Sequence, residues 1–382
     1  MKELGKISDF CEVIAGQSPD GKAYNTDGKG IEFHQGKKAF GIKILEESGV
    51  WTTTVTKLAE AGDILMSVRA PVGPTNITNR KVCIGRGLAA IRCGENILPS
   101  FVLYALKNIE KKIIGNDGAV FNSINKKMIE NIPIPIANID EQRRIVSYLD
   151  SSFKLIDEIK DKVLKSLTEA KALFQSALAE AMEPKEGWEE KTLKEIGLTQ
   201  TGTTPSKSNK AYYGNYIPFI RPSEINIDGL GTIEYNSEIM LSQKGIEAGR
   251  KFTKKSILMV CIGATIGKVG YSERDISCNQ QINVLSPYNG YNYKYLYYAM
   301  SSSVFQKKVI MEGTSAQAIL PIINKGKWEK LLLYIPPLPT QKQIVSHLDK
   351  LSSKVRAMEE KYQKMVEECD ALKQAMLRDV FE

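Results

Sequence analysis

Only two histidines, His34 and His347, occur among 382 residues, and they stand in unlike settings. That leaves little room for imidazole acid–base chemistry, and no two ligand-type residues fall at zinc spacing. The six cysteines (Cys11, Cys83, Cys93, Cys261, Cys278, Cys369) contain no C-x-x-C pair and no regular spacing, which reads as reduced thiols. No apolar run approaches a membrane span, and MKELGKISDF has no apolar h-region. A soluble, cytoplasmic chain with no membrane partner is expected. The nucleotide motifs are missing too. Gly263-Ala264-Thr265-Ile266-Gly267-Lys268 has one residue too few between its glycines for a Walker loop, and Val269 stands where a Mg²⁺-binding Ser or Thr is required. There is no G-x-G-x-x-G. The one Pro-Pro, Pro336-Pro337, is followed by Leu338 and lacks the Asn/Asp-Pro-Pro-aromatic form that would stack a flipped base. The pairs Glu46-Glu47 and Glu189-Glu190 read as solvated surface. The chain is expected to be non-catalytic, with no metal or cofactor of its own.

What is present is ordinary in bulk. Apolar content of 42% and charged content of 25% fit a soluble globular protein, and the length suits two domains. A net charge of +8 suits a polyanionic partner without demanding one.

The organising feature is a repeat. DEQRRIVSYLD at 140–150 returns as PTQKQIVSHLD at 339–349. Gln142, Ile145, Val146, Ser147, Leu149 and Asp150 match Gln341, Ile344, Val345, Ser346, Leu348 and Asp349. The same offset aligns Ile124-Asn125-Lys126 with Ile323-Asn324-Lys325, and Glu130 with Glu329. A chain of two homologous halves presents two similar surfaces.

Each half reads as short β runs between Gly/Pro/Asn turns, then a helical run, an extended proline connector and a long helix. In the first half these are Gly62–Val68 and Ala89–Arg92 as strands, Ser100–Ile114 as helix, a turn at Gly115–Gly118, and the connector Ile132–Ile139. In the second they are Ser256–Val260 and Gln281–Leu285, the helical run Tyr291–Met311, and the connector Ile335–Pro339. Asp140 and Thr340 are the expected N-caps. From Asp140 to Met182 there is neither Gly nor Pro, and Leu149, Phe153, Ile156, Val163, Leu167 and Phe174 keep a 3-4 spacing. The last helix carries a cleaner a/d seam: Leu351, Val355, Met358, Tyr362, Met365, Cys369, Leu372, Met376. A helix of about 42 residues spans roughly 63 Å at ~1.5 Å per residue and needs a partner, so the two stripes are expected to pack as an antiparallel pair. The expected domains are 1–139, 140–183, 184–339 and 340–382.

Three turn segments are also duplicated. Gly16-Gln17-Ser18-Pro19 matches Gly202-Thr203-Thr204-Pro205, and each is followed by a Lys/Asn/Tyr loop. These loops contain Lys22, Tyr24 and Asn25 in the first half, and Lys207, Lys210 and Tyr212 in the second. A strand then leads to a glycine loop with a cation, Val68-Arg69-Ala70-Pro71-Val72-Gly73 against Gly263–Lys268 with Thr265 and Lys268. The third pair is Ile84-Gly85-Arg86-Gly87-Leu88 against Asn279-Gln280-Gln281-Ile282. Lysine suits phosphates, while Arg, Asn and Gln make bidentate contacts to base edges. These residues, with Thr203 and Thr204, are the candidate DNA contacts.

The two connector-plus-helix signatures, the strand GDILMSVR at 62–69 and the Gly187-Trp188 entry to the second half resemble the specificity subunit of type I restriction–modification systems, over essentially the whole chain. That resemblance implies a mixed α/β fold with two target recognition domains separated by the helix pair. It implies that each domain reads one half of a bipartite, asymmetric site in double-stranded DNA. The helices would set the unread spacer and dock two methyltransferase subunits, which carry S-adenosylmethionine, with restriction/translocase subunits using ATP. The first connector departs from the second at Ala137-Asn138, and the first glycine loop carries Ala70-Pro71 against Ala264-Thr265. Two other classes stay open on the residues alone: a cryptic DNA-cleaving enzyme, and a coiled-coil scaffold whose globular ends bind proteins.

Overall fold

The computed structural model describes residues 3–113, 123–225, 233, 235, 239–313 and 321–382, with the backbone alone over 111–113. The expected turn at Gly115–Gly118 lies outside the described residues. The chain forms two compact units, Met1–Lys162 with Lys364–Glu382, and Val163–Gln363, so the division falls inside both long helices.

In the first unit the chain runs β1 (Leu4–Lys6), α1 (Ile7–Phe10), β2 (Cys11–Ala15), β3 (Tyr24–Asn25), β4 (Ile31–His34), β5 (Trp51–Thr52), β6 (Leu58–Ala59), β7 (Ile64–Ser67), β8 (Thr75–Ile77), β9 (Val82–Ile84), β10 (Leu88–Cys93), α2 (Pro99–Ile113), α3 (Lys126–Glu130) and β11 (Pro133–Pro135). It then enters α4 (Ile139–Ala181). An antiparallel sheet has the order β2-β10-β7-β8, and a second sheet has the order β3-β5-β4-β9-β6 with β4 and β9 parallel. Alternation on β7 explains its unbroken apolar run. Ile64 and Met66 pack toward α2 with Phe101 and Leu103, while Leu65 faces a second core with Val82 and Ile84. A strand covered on both faces has no polar side to show.

The second unit repeats this plan with β12 (Glu189–Thr192), α5 (Leu193–Ile196), β13 (Gly197–Thr201), β14 (Tyr213–Ile220), β15 (Met240–Leu241), α6 (Gln243–Ala248), β16 (Ile257–Val260), β17 (Val269–Tyr271), β18 (Ser277–Cys278), β19 (Ile282–Pro287), α7 (Tyr293–Ser301), α8 (Ser303–Gly313), α9 (Lys325–Trp328) and β20 (Leu332–Ile335). Its main sheet, β13-β19-β16-β17, has the order of the first, and β14 pairs in parallel with β18 as β4 does with β9. On β16, Ile257 and Met259 face the helices, and Leu258 and Val260 face the smaller sheet. The expected single helix over Tyr291–Met311 is two helices, because Ser302 leaves the helical conformation at their junction.

The proline connector of the first half is a strand, not free extended chain. β11 pairs antiparallel with β1, and Ile136 N–H donates to Glu3 O at 2.9 Å. Pro133 and Pro135 occupy the alternate positions, whose missing N–H groups face away from that two-stranded ladder. The second connector pairs likewise through β20 with β12, ahead of its prolines.

The long helices begin earlier than expected. In α4 the Asn138 side chain, not Asp140, accepts the Glu141 N–H at 2.9 Å. The last helix, α10 (Leu338–Phe381), starts two residues before Thr340. In the first unit the two helices run antiparallel, with Lys160 Nζ 2.9 Å from Asp370 and Lys373 Nζ 2.5 Å from Asp157. In the second, Lys171 pairs with Glu359. Leu149, Ile156, Leu167, Phe174 and Val355 are buried, and Phe153, Val163, Leu351, Tyr362, Met365 and Met376 are half-buried. Met358 and Leu372 are not packed: Leu372 is 51% exposed. The buried face of α10 is made by Val345, Leu348, Ser352, Leu377 and Phe381, because the helix serves the core of each unit as well as its partner helix. A 3.5-residue seam also drifts around a straight helix of 3.6 residues per turn.

The repeated signature anchors each helix to its own unit. Gln142 accepts from Leu98 N–H (2.8 Å) and donates to Asn96 O and Ala137 O. Gln341 accepts from Asn292 N–H (2.8 Å) and donates to Pro336 O. Two turns further on, Asp150 accepts from the Tyr104 hydroxyl and from Lys43, and Asp349 from Tyr298 (2.7 Å) and Lys294 (2.8 Å). Substituting the buried Gln341→Ala leaves a backbone donor and acceptor without partners. It should cost about 1–3 kcal/mol in urea unfolding of the full chain. The neighbouring exposed Gln343→Ala should stay within about 0.5 kcal/mol. Equal losses for the two would show that the amide does not anchor the helix.

Candidate functional site

The three duplicated loop segments meet at one end of the main sheet in each unit, tied by matching backbone bonds. Gly16 N–H donates to Leu88 O and Gln17 N–H to Ile84 O, both at 3.0 Å. In the second unit Gly202 donates to Ile282 O and Thr203 to Cys278 O, both at 2.9 Å. A side chain at either glycine would strike a facing carbonyl: a Cβ would lie 2.2 Å from Gly85 O in the first unit and 2.2 Å from Asn279 O in the second. The glycine loops join by the same device. Val68 donates to Gly87 O and accepts from Ile124 N–H, and Cys261 donates to Gln281 O and accepts from Ile323 N–H. These bonds place Arg86 opposite Gln280 in the two units, and Ser18 opposite Thr204.

The loops hold their candidate residues in different ways. Lys22, Arg69, Arg86, Thr204, Lys207, Lys210 and Gln280 are exposed. Ser18 Oγ accepts from Arg86 N–H, while Thr204 Oγ1 donates to Gln280 Oε1 at 2.5 Å, so the hydroxyl braces the neighbouring loop in both units. Thr265 and Lys268 are half-buried, and Lys268 N–H closes the turn on Thr265 O. Thr203 Oγ1 is buried with no hydrogen-bond partner among the described residues.

Other candidates serve the loops themselves. Asn25 takes the N–H groups of Asp27 and Lys29 and donates to Lys29 O, which commits its amide to its own turn. Asn279 and Gln281 are bonded to each other twice, through Asn279 Nδ2 to Gln281 Oε1 and Gln281 N–H to Asn279 Oδ1. The tyrosine matching Tyr24 is Tyr213, not Tyr212: the Tyr24 and Tyr213 hydroxyls donate to Pro19 O and Pro205 O. Asx-type bonding of that kind is invisible in a residue count, which credited these amides to a ligand.

A charged cluster that sequence reasoning missed lies behind the first unit's loops. Glu32 receives both Arg80 Nε (2.7 Å) and Nη2 (3.0 Å), Ser48 N–H (2.7 Å) and His34 Nε2 (3.0 Å). Arg80 also donates to Leu45 O and Glu46 O, pinning the 45–48 segment against β4. Burial alone would push the Glu32 carboxyl up, but Arg80, Ser48 and His34 outweigh it and hold it below its ordinary range. Burial pushes His34 below its ordinary value against the pull of Glu32. Its Nδ1 is buried without a hydrogen-bond partner among the described residues.

Among the described residues no group of three or more His, Cys, Asp or Glu could hold a metal, and no helix is long and apolar enough to cross a membrane.

Comparison with known proteins places these loops in a family context. The family model described as "Type I restriction modification DNA specificity domain" matches twice, over residues 2–169 and 185–368. The chain is 42% identical over 179 residues to a putative type I restriction enzyme MjaX specificity subunit of Methanocaldococcus jannaschii, covering 46% of this chain and 41% of that protein. It is 31% identical over 179 residues to the HindI specificity subunit of Haemophilus influenzae, covering 44% and 37%. The chain thus spans about two fifths of the length of these curated relatives. A solved chain from work on complex assembly and conformational transition of the type I R-M system superposes with a TM-score of 0.76 at 18% identity, covering 100% of this chain and 97% of its own. The HsdS subunit of Thermoanaerobacter tengcongensis gives 0.54 at 17%, covering 99% and 96%. At such identities the superpositions bear on the fold alone.

The charged cluster sets a pH dependence. His34 and Glu32 both bind their protons less readily folded than unfolded, so each contribution is lost on acidification. Stability should fall as pH drops below the ordinary histidine value of 6.5, and further below the ordinary glutamate value of 4.5. His34→Gln should flatten the upper part of that slope in urea midpoints of the full chain. Parallel slopes for the variant and the parent would show that His34 is not the titrating group.

Proposed function

Because this chain belongs to the family of type I restriction–modification DNA specificity domains, we propose that it is the sequence-reading, non-catalytic subunit of such a system. Each unit reads one half of a bipartite, asymmetric site in double-stranded DNA. The single observation that carries this reading is the pair of loop clusters built on matching backbone bonds but furnished with different side chains, Arg86 in one and Gln280 in the other. Arginine pairs with guanine O6 and N7, and glutamine with adenine N6 and N7, so one frame offers two readings. Exposed Lys22, Lys207 and Lys210 suit the flanking phosphates. The domains are then the two recognition units and the two long helices. The helices set the unread gap and dock two methyltransferase subunits, on which S-adenosylmethionine belongs. ATP belongs on restriction/translocase subunits.

Base-resolution adenine-methylation mapping after co-expression with a neighbouring methyltransferase should give a split motif with a fixed gap. Replacing residues 191–339 should change one half of the motif only. Arg86→Ala should relax a position in one half and Gln280→Ala a position in the other, each by about 1–3 kcal/mol of discrimination. Methylation that has no motif, or that does not need this chain, would exclude the reading. Lys207→Ala with Lys210→Ala should weaken binding to all sequences alike and lower the salt slope by about 1 per lysine lost from a phosphate. A salt slope unchanged in that variant would remove these lysines from the interface.

A further inference from the structure

A cavity of about 760 Å³ opens in the first unit beside the reading loops, and its lining includes Ser18, Tyr24, Arg86, Gln35, Lys38, Glu46 and Glu47. The last pair, expected from the sequence to be plain solvated surface, forms part of its wall. The wall is held from behind. The Arg80 guanidinium fork on Glu32 also grips Leu45 O and Glu46 O, and Glu32 takes Ser48 N–H. The two carboxylates at 46 and 47 are therefore presented on a fixed backbone. Within the lining Tyr24 stacks on Phe33 with ring centroids 4.8 Å apart and planes 15° apart, giving a flat apolar surface. Ser18 Oγ donates to Gln35 Oε1 at 2.8 Å, which assigns the Gln35 amide nitrogen as the free donor.

The lining has a definite chemistry. Arg86 and Lys38 are donors only, and the Glu46 and Glu47 carboxylates are acceptors only. A phosphate would meet the cations but also two carboxylates, so the cavity does not suit the DNA backbone. A ligand that fits must present acceptors and amino hydrogens side by side. In the major groove a G·C pair does this, with guanine O6 and N7 next to the cytosine N4 amino group.

Resting on the reading role above, we propose that this cavity is the base-edge site of the first unit. It recognises a G·C pair: Arg86 or Lys38 meets the guanine, and Glu46 with Glu47 accepts from the cytosine amino group. The acidic pair is then a specificity determinant of one half-site.

The test is selection from a randomised duplex library by the full chain, alone and with its methyltransferase partner, against Glu46→Gln/Glu47→Gln. Both side chains are exposed, and an unchanged melting temperature of the variant checks its fold. The expected result is a wild-type split motif with a G·C pair in one half. In the variant, preference for that pair should fall about tenfold, with the other half intact and overall affinity equal or higher. An unchanged motif and preference in the variant would overturn the assignment while leaving the reading role in place. Absence of any motif with the wild type would overturn the reading role, and this inference with it. A free nucleotide is the other source of the same base chemistry. Thermal stabilisation of the wild type by dCMP or dGMP, lost in the variant and accompanied by no change in motif, would reassign the cavity to that ligand.

Discussion

Burying an uncharged amide is unfavourable unless every polar atom finds a partner, and Gln142 and Gln341, each 2% exposed, meet that condition at the same place in each unit. Each amide bridges the start of its long helix to the chain entering the unit's own helix, α2 or α7, and to the end of the proline connector. One glutamine therefore fixes where the helix begins and which way it leaves. Two turns later the aspartates at 150 and 349 take a tyrosine hydroxyl from that same helix, α2 or α7. Two points of attachment define a line, so the direction of each long helix follows from four side chains. The cation completing each site comes from different places, Lys43 from a loop and Lys294 from α7. The repeat therefore preserves the acceptor and leaves the donor's origin open.

The main sheets are held by packing instead. β7 and β16 are covered on both faces, since helices cover one side and the smaller sheet the other. Ile, Leu and Met recur there at the same three positions, and only the last residue differs, Ser67 against Val260. Hydrophobic burial supplies the bulk of the stability, and the polar anchors supply orientation.

Much of this was legible in the sequence. The repeat gave the two units, the strands ILMS and ILMV, and both helices, because these depend on periodicity and on side chains that must recur. Three things were not legible. The strand nature of IPIPI was hidden because prolines exclude it from a central sheet, and only the pairing with β1 shows that their missing donors face outward. The exposure of Met358 and Leu372 was hidden because a heptad pattern does not say which neighbour a helix buries itself against. The commitment of Asn25, Asn279 and Gln281 to their own loops was hidden because an amide bonded to its own backbone and one awaiting a ligand are spelled alike. The sequence did align Arg86 with Gln280, and the matching backbone bonds of the two loops keep that alignment. It gave no sign of the Glu32–Arg80 pair, whose members lie 48 residues apart, one on β4 and the other in the bend between β8 and β9.

The distribution of identities between the halves then has a physical cause. Where an anchor runs through a side chain, as at Gln142 and Asp150, exchange of that residue destroys it, and the two halves keep the same residue. Where an anchor runs from backbone to backbone, as from Gly16 to Leu88 or from Val68 to Gly87, the bond does not depend on the side chains between. Close approaches restrict the choice at Gly16 and Gly202, and in the first unit at Gly85 and Gly87, where a Cβ would lie 2.4 Å from Gln35 Oε1 and 2.3 Å from Gln35 O. Loops secured in this way carry Arg86 in one unit and Gln280 in the other on the same backbone bonds. A frame held by its backbone while its side chains vary can acquire a new preference at small cost in stability. The same rule explains why the first unit needs Arg80 and Glu32: the 45–48 segment has no strand of its own, and a guanidinium bonded to two of its carbonyls does what a sheet ladder does elsewhere.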